Sequence, residues 1–286
     1  MNKIVSRLFI FLVGVPIVFV LVYFLPYKGH LALNTAVIIF SILGALEFRF
    51  MLEKKQMPLS KTETVILGGL TPALMTLVVS FNISEFIIPL FFITAIFWML
   101  ASAVFMPSVP IEGYLNRVLA GIAVLIYPGF LLAWICAMGN WDGILILLFL
   151  LIAMLGDSTA WLTGMLFGKN NRGIIKVSPN KSIAGFAGSL FASVLVSVAA
   201  VLVFPSLFVP RFSSAVIAGV VLGLVPGIAA IIGDLCESAM KRSADVKDSG
   251  AIIPGRGGVL DSVDSIALAA PFFYFTCLLL FTNTPV

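Results

Sequence analysis

The residues best suited to chemistry lie in one polar segment near the end of the chain. Its members are Lys241, Arg242, the stretch IPGRGG from Ile253 to Gly258, and the aspartates Asp261 and Asp264. A turn with three glycines lets the backbone approach a ligand closely. The two aspartates, together with Asp234, supply the oxygen ligands that Mg²⁺ prefers. The pattern predicts a site for a phosphate compound and a divalent cation.

Two carboxylates stand inside apolar stretches. They are Asp157, in GDSTAW, and Asp234. A carboxylate at the middle of a membrane-spanning helix costs about 2.5–3.5 kcal/mol, so it is seldom present without a partner or a water-filled site. We expect both at a functional site; the alternative is a buried aspartate that pairs with a lysine or caps a broken helix. Glu47, close to Arg49, is predicted to form an interfacial ion pair.

A second polar segment reads GKNNRGIIKVSPNKSIAGF, from Gly168 to Phe186. Pro179 ends the preceding structure, and Asn180 or Ser182 can cap the helix that follows. Free amides at a helix start, together with Lys181, form an anion site. The alternative is an ordinary basic loop with a helix cap. The segment is not a Walker loop, because GxxxxGK[ST] occurs nowhere in the chain.

The residue types favour phosphoryl-type transfer over acyl transfer. The single histidine, His30, lies far from both polar segments, and neither segment offers a Cys–His or Ser–His pair. A reaction between phosphates needs alignment, a metal ion and cations that neutralise charge. Lysine, arginine and aspartate provide these functions.

The elements that position these residues are membrane helices. The chain is 61% apolar and 10% charged, with a mean hydropathy of +1.16, whereas a soluble domain is about one quarter charged. Uncharged stretches approach or exceed the roughly 20 residues of a spanning helix. They run over 8–25, 31–50, 64–82, 86–106, 117–138, 143–167, 184–204, 213–235 and 266–283. The prediction is an all-α, polytopic integral membrane protein of about nine helices.

The basic residues predict the orientation. With nine spans, 15 of the 17 Lys and Arg residues fall on the side of the N-terminus, which short cytoplasmic loops favour. The N-terminus and the loops 168–183 and 236–265 are therefore predicted to be cytoplasmic. Residues 1–140 would hold helices one to five and residues 141–286 helices six to nine, in one integrated membrane domain. The net charge of +4 reflects topology and requires no nucleic acid.

An extension of the eighth span into the cytoplasm would align further polar residues. Asp234, Ser238, Lys241 and Asp245 would then recur at i, i+4, i+7 and i+11 on one helix face. Acidic and basic side chains would share that face. The alternative is a solvated helix whose basic residues meet anionic lipid.

The 27 residues from Ser238 to Asp264 resemble the signature of the phosphatidate cytidylyltransferase family in order and spacing. GDSTAW and VSPNKS are similar to two further segments of that family. Arg256 stands where the family pattern has histidine, and Ser262 stands where it has arginine. A cation is thus kept at the first position and lost at the second.

The resemblance implies that CTP and phosphatidate, in a cell membrane, give CDP-diacylglycerol and pyrophosphate at a cytoplasmic site with Mg²⁺. The implied metal ligands are Asp234, Asp261 and Asp264. The implied catalytic residues are Lys241, Arg242, Lys247 and Asp248. The implied substrate-binding residues are Ser178, Lys181, Ser238, Asp157, Arg256, Gly257 and Gly258. A second cation and a homodimer are left open.

Two other functions remain open. A CTP-dependent kinase of a polyprenol or another lipid alcohol would need a similar cytoplasmic nucleotide site and would release CDP. A transporter of an anionic solute would use Asp157 and Asp234 for coupling. Against transport, the chain has no evident inverted repeat, and its polar residues gather on one predicted side.

Overall fold

The protein is a helical membrane protein in this computed structural model, which describes residues 13–105, 111–212, 214–253 and 255–284. Of these described residues, 77% are helical, and no strand lies among them. The helices of the described residues, labelled in chain order, are α1 Val13–Phe24, α2 Tyr27–Glu53, α3 Lys61–Phe81, α4 Ile87–Phe105, α5 Ile111–Asn140, α6 Gly143–Phe167, α7 Ile183–Val203, α8 Ala215–Ser243 and α9 Leu260–Leu280.

The all-α membrane prediction is confirmed, and each predicted span overlaps one observed helix. Seven helices are long and apolar enough to cross a bilayer, whereas α1 and α4 contain shorter apolar stretches. Large apolar side chains on the helices face outward, as lipid contact requires: Phe97 is 71% exposed and Phe191 70%. The count of nine spans and the orientation stay predictions, and Lys3 and Arg7 lie outside the described residues.

Polar side chains at the helix starts fix where several helices begin. In α3, Ser60 and Glu63 form a reciprocal capping box. Asp142 accepts a hydrogen bond from the amide of Ile144 at the start of α6. Ser182 Oγ accepts one from the amide of Gly185 (3.0 Å) at the start of α7, which confirms the predicted cap.

The predicted loop 236–265 is too long at both ends. Helix α8 continues to Ser243, so the extension past Asp234 is confirmed. Asp245 lies beyond the helix with φ +56°, so its predicted place on the α8 face is wrong. Helix α9 begins at Leu260, which puts Asp261 and Asp264 inside a helix. A hydropathy count ends a span at its first charge, whereas backbone hydrogen bonding continues past it.

The chain divides into two compact units. The first unit comprises Met1–Asn140 and Met240–Val263, and the second comprises Trp141–Ala239 and Asp264–Val286. Small residues allow close helix packing in each, as is common in membrane proteins. In the first unit, Ser41 Oγ lies 2.6 Å from the carbonyl oxygen of Gly68. In the second, a Cβ on Gly156 would lie 2.9 Å from Ser189 Oγ.

Candidate functional site

Several residues of the polar segment in the first unit contact Asp261. Lys241 Nζ lies 2.5 Å from Asp261 Oδ1, across 20 positions of sequence. Asp261 Oδ2 accepts hydrogen bonds from the backbone amides of Ser249 (2.9 Å) and Gly258 (2.7 Å). The side chains of Lys241 and Asp261 are only 12% and 6% exposed. Charges so well buried need an opposite charge and hydrogen bonds, and this pair has both.

The glycine-rich turn is shaped by the same carboxylate. Ile253 and Gly257 form a tight turn, in which the Ile253 amide donates to Gly257 O (2.8 Å) and the Gly257 amide to Ile253 O (3.0 Å). Gly257 has φ +112°, and a Cβ there would lie 2.5 Å from Asp261 Oδ2. The backbone of this turn therefore lies close to the Asp261 carboxylate. Its approach to a substrate phosphate stays a prediction.

Four further charged residues of this segment are exposed. They are Arg242, Lys247, Asp248 and Arg256. Arg242 Nη1 donates to the carbonyl oxygen of Val246 (3.2 Å), so its side chain lies along the segment. Ser262 Oγ donates a hydrogen bond to the carbonyl oxygen of Gly258 (3.2 Å), four residues earlier in the chain. The site thus combines a buried ion pair with cations that a ligand in water can reach.

The second unit contains a cleft of about 390 Å³. Residues that line it include Asp157, Trp161, Arg172, Lys181, Ile231 and Asp234. Lys181 forms an ion pair with Asp234, with side chains 24% and 32% exposed. Asp234 is therefore paired with a lysine, which is the alternative that the sequence left open. Such a mixture of ionic, aromatic and apolar groups suits a ligand that is charged at one end.

The remaining predicted residues of this unit lie at or near the cleft. Asp157 is exposed, and Ser265 Oγ lies 3.4 Å from Asp157 Oδ1. Ser178 is half-buried in the loop before α7, where its amide donates to Ile175 O (3.1 Å). Ser238 is half-buried on α8, one turn after Asp234. The structure therefore brings Asp157, Lys181 and Asp234 to one cleft and leaves Ser178 and Ser238 outside its lining.

The three aspartates predicted to bind metal have different surroundings. Asp234 and Asp261 pair with lysines in separate units, and Asp264, 6% exposed, accepts a hydrogen bond from the amide of Ser265 (2.6 Å). In the described part of the chain, no three His, Cys, Asp or Glu side chains are grouped to hold an ion. The residue types still fit Mg²⁺, because this ion prefers charged oxygen ligands and ion-paired carboxylates supply them. Their binding of one ion remains a prediction.

Two residues with evident roles were missed in the sequence. Arg172 lines the cleft and donates a hydrogen bond from Nη2 to Gly164 O (2.8 Å). The sequence indicated only that its positive charge favours the cytoplasmic side. Glu47 was predicted to pair with Arg49, and that is wrong: Arg49 pairs with Glu53, and Glu47 contacts Val259 and Leu260. A carboxylate within an apolar helix was the available signal for Glu47.

Comparison with known proteins gives one family for nearly the whole chain. The model described as "Cytidylyltransferase family" matches residues 5–280. The "Phosphatidate cytidylyltransferase" of Synechocystis sp. is 38% identical over 124 residues, which are 43% of this chain and 40% of that protein. That of Haemophilus influenzae is 38% identical over 143 residues, 47% of this chain and 46% of that protein.

A longer match covers both halves of the chain. The "Uncharacterized protein YnbB" of Escherichia coli is 33% identical over 207 residues, 70% of this chain and 66% of that protein. The chain therefore matches less than half of the length of the two enzymes above and about two thirds of this protein.

Proposed function

Because this chain belongs to the cytidylyltransferase family, we propose that it is a CTP:phosphatidate cytidylyltransferase. A phosphate oxygen of phosphatidate attacks the α-phosphorus of CTP, and the bond between the α- and β-phosphates breaks. The products are CDP-diacylglycerol, which stays in the membrane, and pyrophosphate. One observation carries the proposal: Lys241, Ser249 and Gly258, which the signature distributes along the chain, all contact Asp261.

The chain's own residues would align the two phosphates and neutralise their charge. The side chains of Arg242, Lys247 and Arg256 are exposed, so they can contact phosphate oxygens of a ligand. Lys241 is buried with Asp261 and would hold the polar segment in place while facing the reacting phosphates. Asp248, exposed beside Lys247, would set the local charge balance. Gly257 and Gly258 would let backbone amides approach the ligand.

The cleft of the second unit would receive CTP. Lys181 and Ser178 would hold its phosphates, and Ser238 would support Asp234 from the same helix. Asp157, which is exposed in the cleft, would line the entrance of the lipid. Trp161 is 62% exposed there and offers a flat apolar surface to an acyl chain or a base.

We also propose that the reaction depends on Mg²⁺, with Asp234, Asp261 and Asp264 as its protein ligands. The support is chemical, because Mg²⁺ takes one or two carboxylates and completes its shell with water and substrate phosphates. When bound, it would neutralise charge on the triphosphate and on the leaving pyrophosphate.

We place the active site on the cytoplasmic side, because 15 of 17 basic residues fall on the predicted inner side. CTP is a cytoplasmic solute, whereas phosphatidate resides in the bilayer. An enzyme that joins them needs polar loops at the inner surface beside membrane helices. The loops 168–182 and 244–259 are the polar loops that the predicted topology assigns to that side.

The test uses two positions of the label in CTP. Purified protein in detergent receives phosphatidate, a polyprenol, Mg²⁺ and CTP labelled on either the α- or the γ-phosphate. A cytidylyltransferase transfers the α-label to lipid and releases the γ-label as pyrophosphate. Transfer of the γ-label to lipid would instead identify a lipid kinase and overturn the proposal.

A matched pair of variants connects the activity to the site. Asp261→Asn should abolish lipid labelling, because Asp261 organises Lys241 and the glycine-rich turn. Asp245→Asn removes the same charge from an 85%-exposed side chain of the same segment and should leave labelling near that of the unaltered chain. Equal activities of the two variants would remove Asp261 from the site.

A further inference from the structure

Glu47 is a buried carboxylate that binds the polar segment from a distant helix. It lies near the end of α2 and is 7% exposed. Its Oε1 accepts a hydrogen bond from the amide of Val259 (2.9 Å), and its Oε2 accepts one from the amide of Leu260 (2.9 Å). These amides open α9 and have no partner within the helix. A negative charge at a helix start is also favoured by the helix dipole.

The polar segment is fitted closely around this carboxylate. A Cβ on Gly250 or on Gly258 would collide with the side chain of Glu47. Both positions therefore require glycine because Glu47 occupies the space. The glycines of the segment are thus explained in part by a residue more than 200 positions away in the sequence.

Ser249 connects Glu47 to Asp261. Its hydroxyl oxygen lies 3.0 Å from Glu47 Oε2 and 2.9 Å from Asp261 Oδ2. The hydroxyl has one proton, so it donates to one carboxylate at a time. Ser249 is 2% exposed, which keeps water from replacing it. The chain of contacts therefore runs from Glu47 through Ser249 to Asp261 and on to Lys241.

We propose that Glu47 is a positioning residue for the reaction, acting through the polar segment and not by contact with substrate. This rests on the proposed function, since Asp261 and its neighbours are assigned there to the reacting phosphates. Glu47 fixes the start of α9 and, through Ser249, the place of Asp261. A shift of about 1 Å in such a group is enough to cost roughly 100-fold in rate.

Substitution of Glu47 should lower kcat and leave KM for CTP nearly unchanged. The residues that hydrogen-bond to Glu47 are Ser249, Val259 and Leu260, and none of them is assigned to CTP binding. Glu47→Gln should lower kcat about 10- to 100-fold and leave KM for CTP within about threefold. The amide would place N–H groups against the N–H groups of Val259 or Leu260, so one of these hydrogen bonds must be lost.

Glu53→Gln is the matched control. It is the same substitution on the same helix, but Glu53 pairs with Arg49 at a side-chain exposure of 38%. We expect its kcat to stay within about twofold of the unaltered chain, as is usual for an exposed ion pair. An equal loss of kcat in both variants would show that charge at this end of α2 is what matters and would overturn the proposal.

Hydrogen–deuterium exchange without substrate tests positioning independently of the reaction. In Glu47→Gln, a peptide that covers 249–262 should exchange faster, whereas one from α7 should not change. Faster exchange everywhere would mean global destabilisation and would contradict the proposal. If exchange changes as expected but the unaltered chain transfers no CMP, the proposed function fails and the structural role of Glu47 stands.

Ser249→Ala keeps the proposal testable if Glu47→Gln does not fold. It removes the hydroxyl between the two carboxylates and leaves both backbone hydrogen bonds of Glu47 in place. We expect kcat to fall about 3- to 10-fold with KM for CTP unchanged, since the loss is part of the same contact chain. An unaltered kcat in this variant would mean that Asp261 is positioned without Glu47.

Discussion

Removing one partner from the buried pair of Lys241 and Asp261 should cost far more stability than removing one from the exposed pair of Lys55 and Asp245. The first pair is 12% and 6% exposed, and the second is 43% and 85% exposed. Removing one partner of a buried ion pair costs about 3–5 kcal/mol, because the other charge stays buried. That is about two to four powers of ten in the unfolding equilibrium, whereas an exposed pair contributes about 0–1 kcal/mol.

The measurement is unfolding of the purified protein by SDS in mixed micelles, followed by tryptophan fluorescence. Asp261→Asn and Lys241→Met should each lower the free energy of unfolding by the larger amount. The double variant should lose less than the sum of the two, because neither residue then leaves a buried charge behind. Asp245→Asn and Lys55→Met provide the exposed control in the same unit.

Two results would refute this reasoning. If Asp261→Asn and Asp245→Asn destabilise the protein equally, water reaches both pairs to the same extent. If the losses of Asp261→Asn and Lys241→Met add fully in the double variant, the two side chains do not interact. Either result would also remove the basis for treating Asp261 as the organising residue of the polar segment.

Three further predictions concern the cleft, the turn and the metal. In steady-state kinetics, Lys181→Met should raise KM for CTP about 10-fold or more, because a hydrogen bond to a charged group contributes about 1.5–3 kcal/mol. Lys176→Met changes an exposed residue of the same loop and should leave KM for CTP unchanged. Gly257→Ala should lower the melting temperature more than Gly173→Ala: both have positive φ, but only the Gly257 Cβ would meet Asp261, and Gly173 has open space. Chelation with EDTA should stop pyrophosphate release and added Mg²⁺ should restore it; turnover that persists in EDTA would contradict the metal prediction.

The positions of the helices could be predicted from the sequence because the bilayer sets them. An apolar run of about 20 residues has one stable arrangement in hydrocarbon, and each predicted span overlaps a helix. The ends were less predictable, as at Leu260, where backbone hydrogen bonding begins six residues before the apolar run at 266. Charged residues in a first helical turn are stabilised by free amides, which hydropathy does not count.

The grouping of Lys241 and Asp261 could be expected from their shared motif, but their partners could not. Glu47 lies 213 positions from Leu260, and its place within an apolar helix indicates that it needs a partner without identifying that partner. The same holds for Lys181, which lies in the second polar segment, and Asp234, which lies in an apolar stretch. A motif defines residues that are near in sequence, whereas a buried charge takes its partner from whatever helix packs against it.

Exposure separates the acidic residues of the apolar helices into two kinds. Glu47 and Asp157 carry a similar insertion cost of about 2–4 kcal/mol if judged from the sequence alone. Glu47 is 7% exposed, and backbone amides of the polar segment offset its cost inside the protein. Asp157 is exposed in a cleft, where the Ser265 hydroxyl lies 3.4 Å from its Oδ1 and a ligand can also reach it. This difference in exposure and in partners supports the proposal that Glu47 positions the site from inside the protein and that Asp157 faces the substrate.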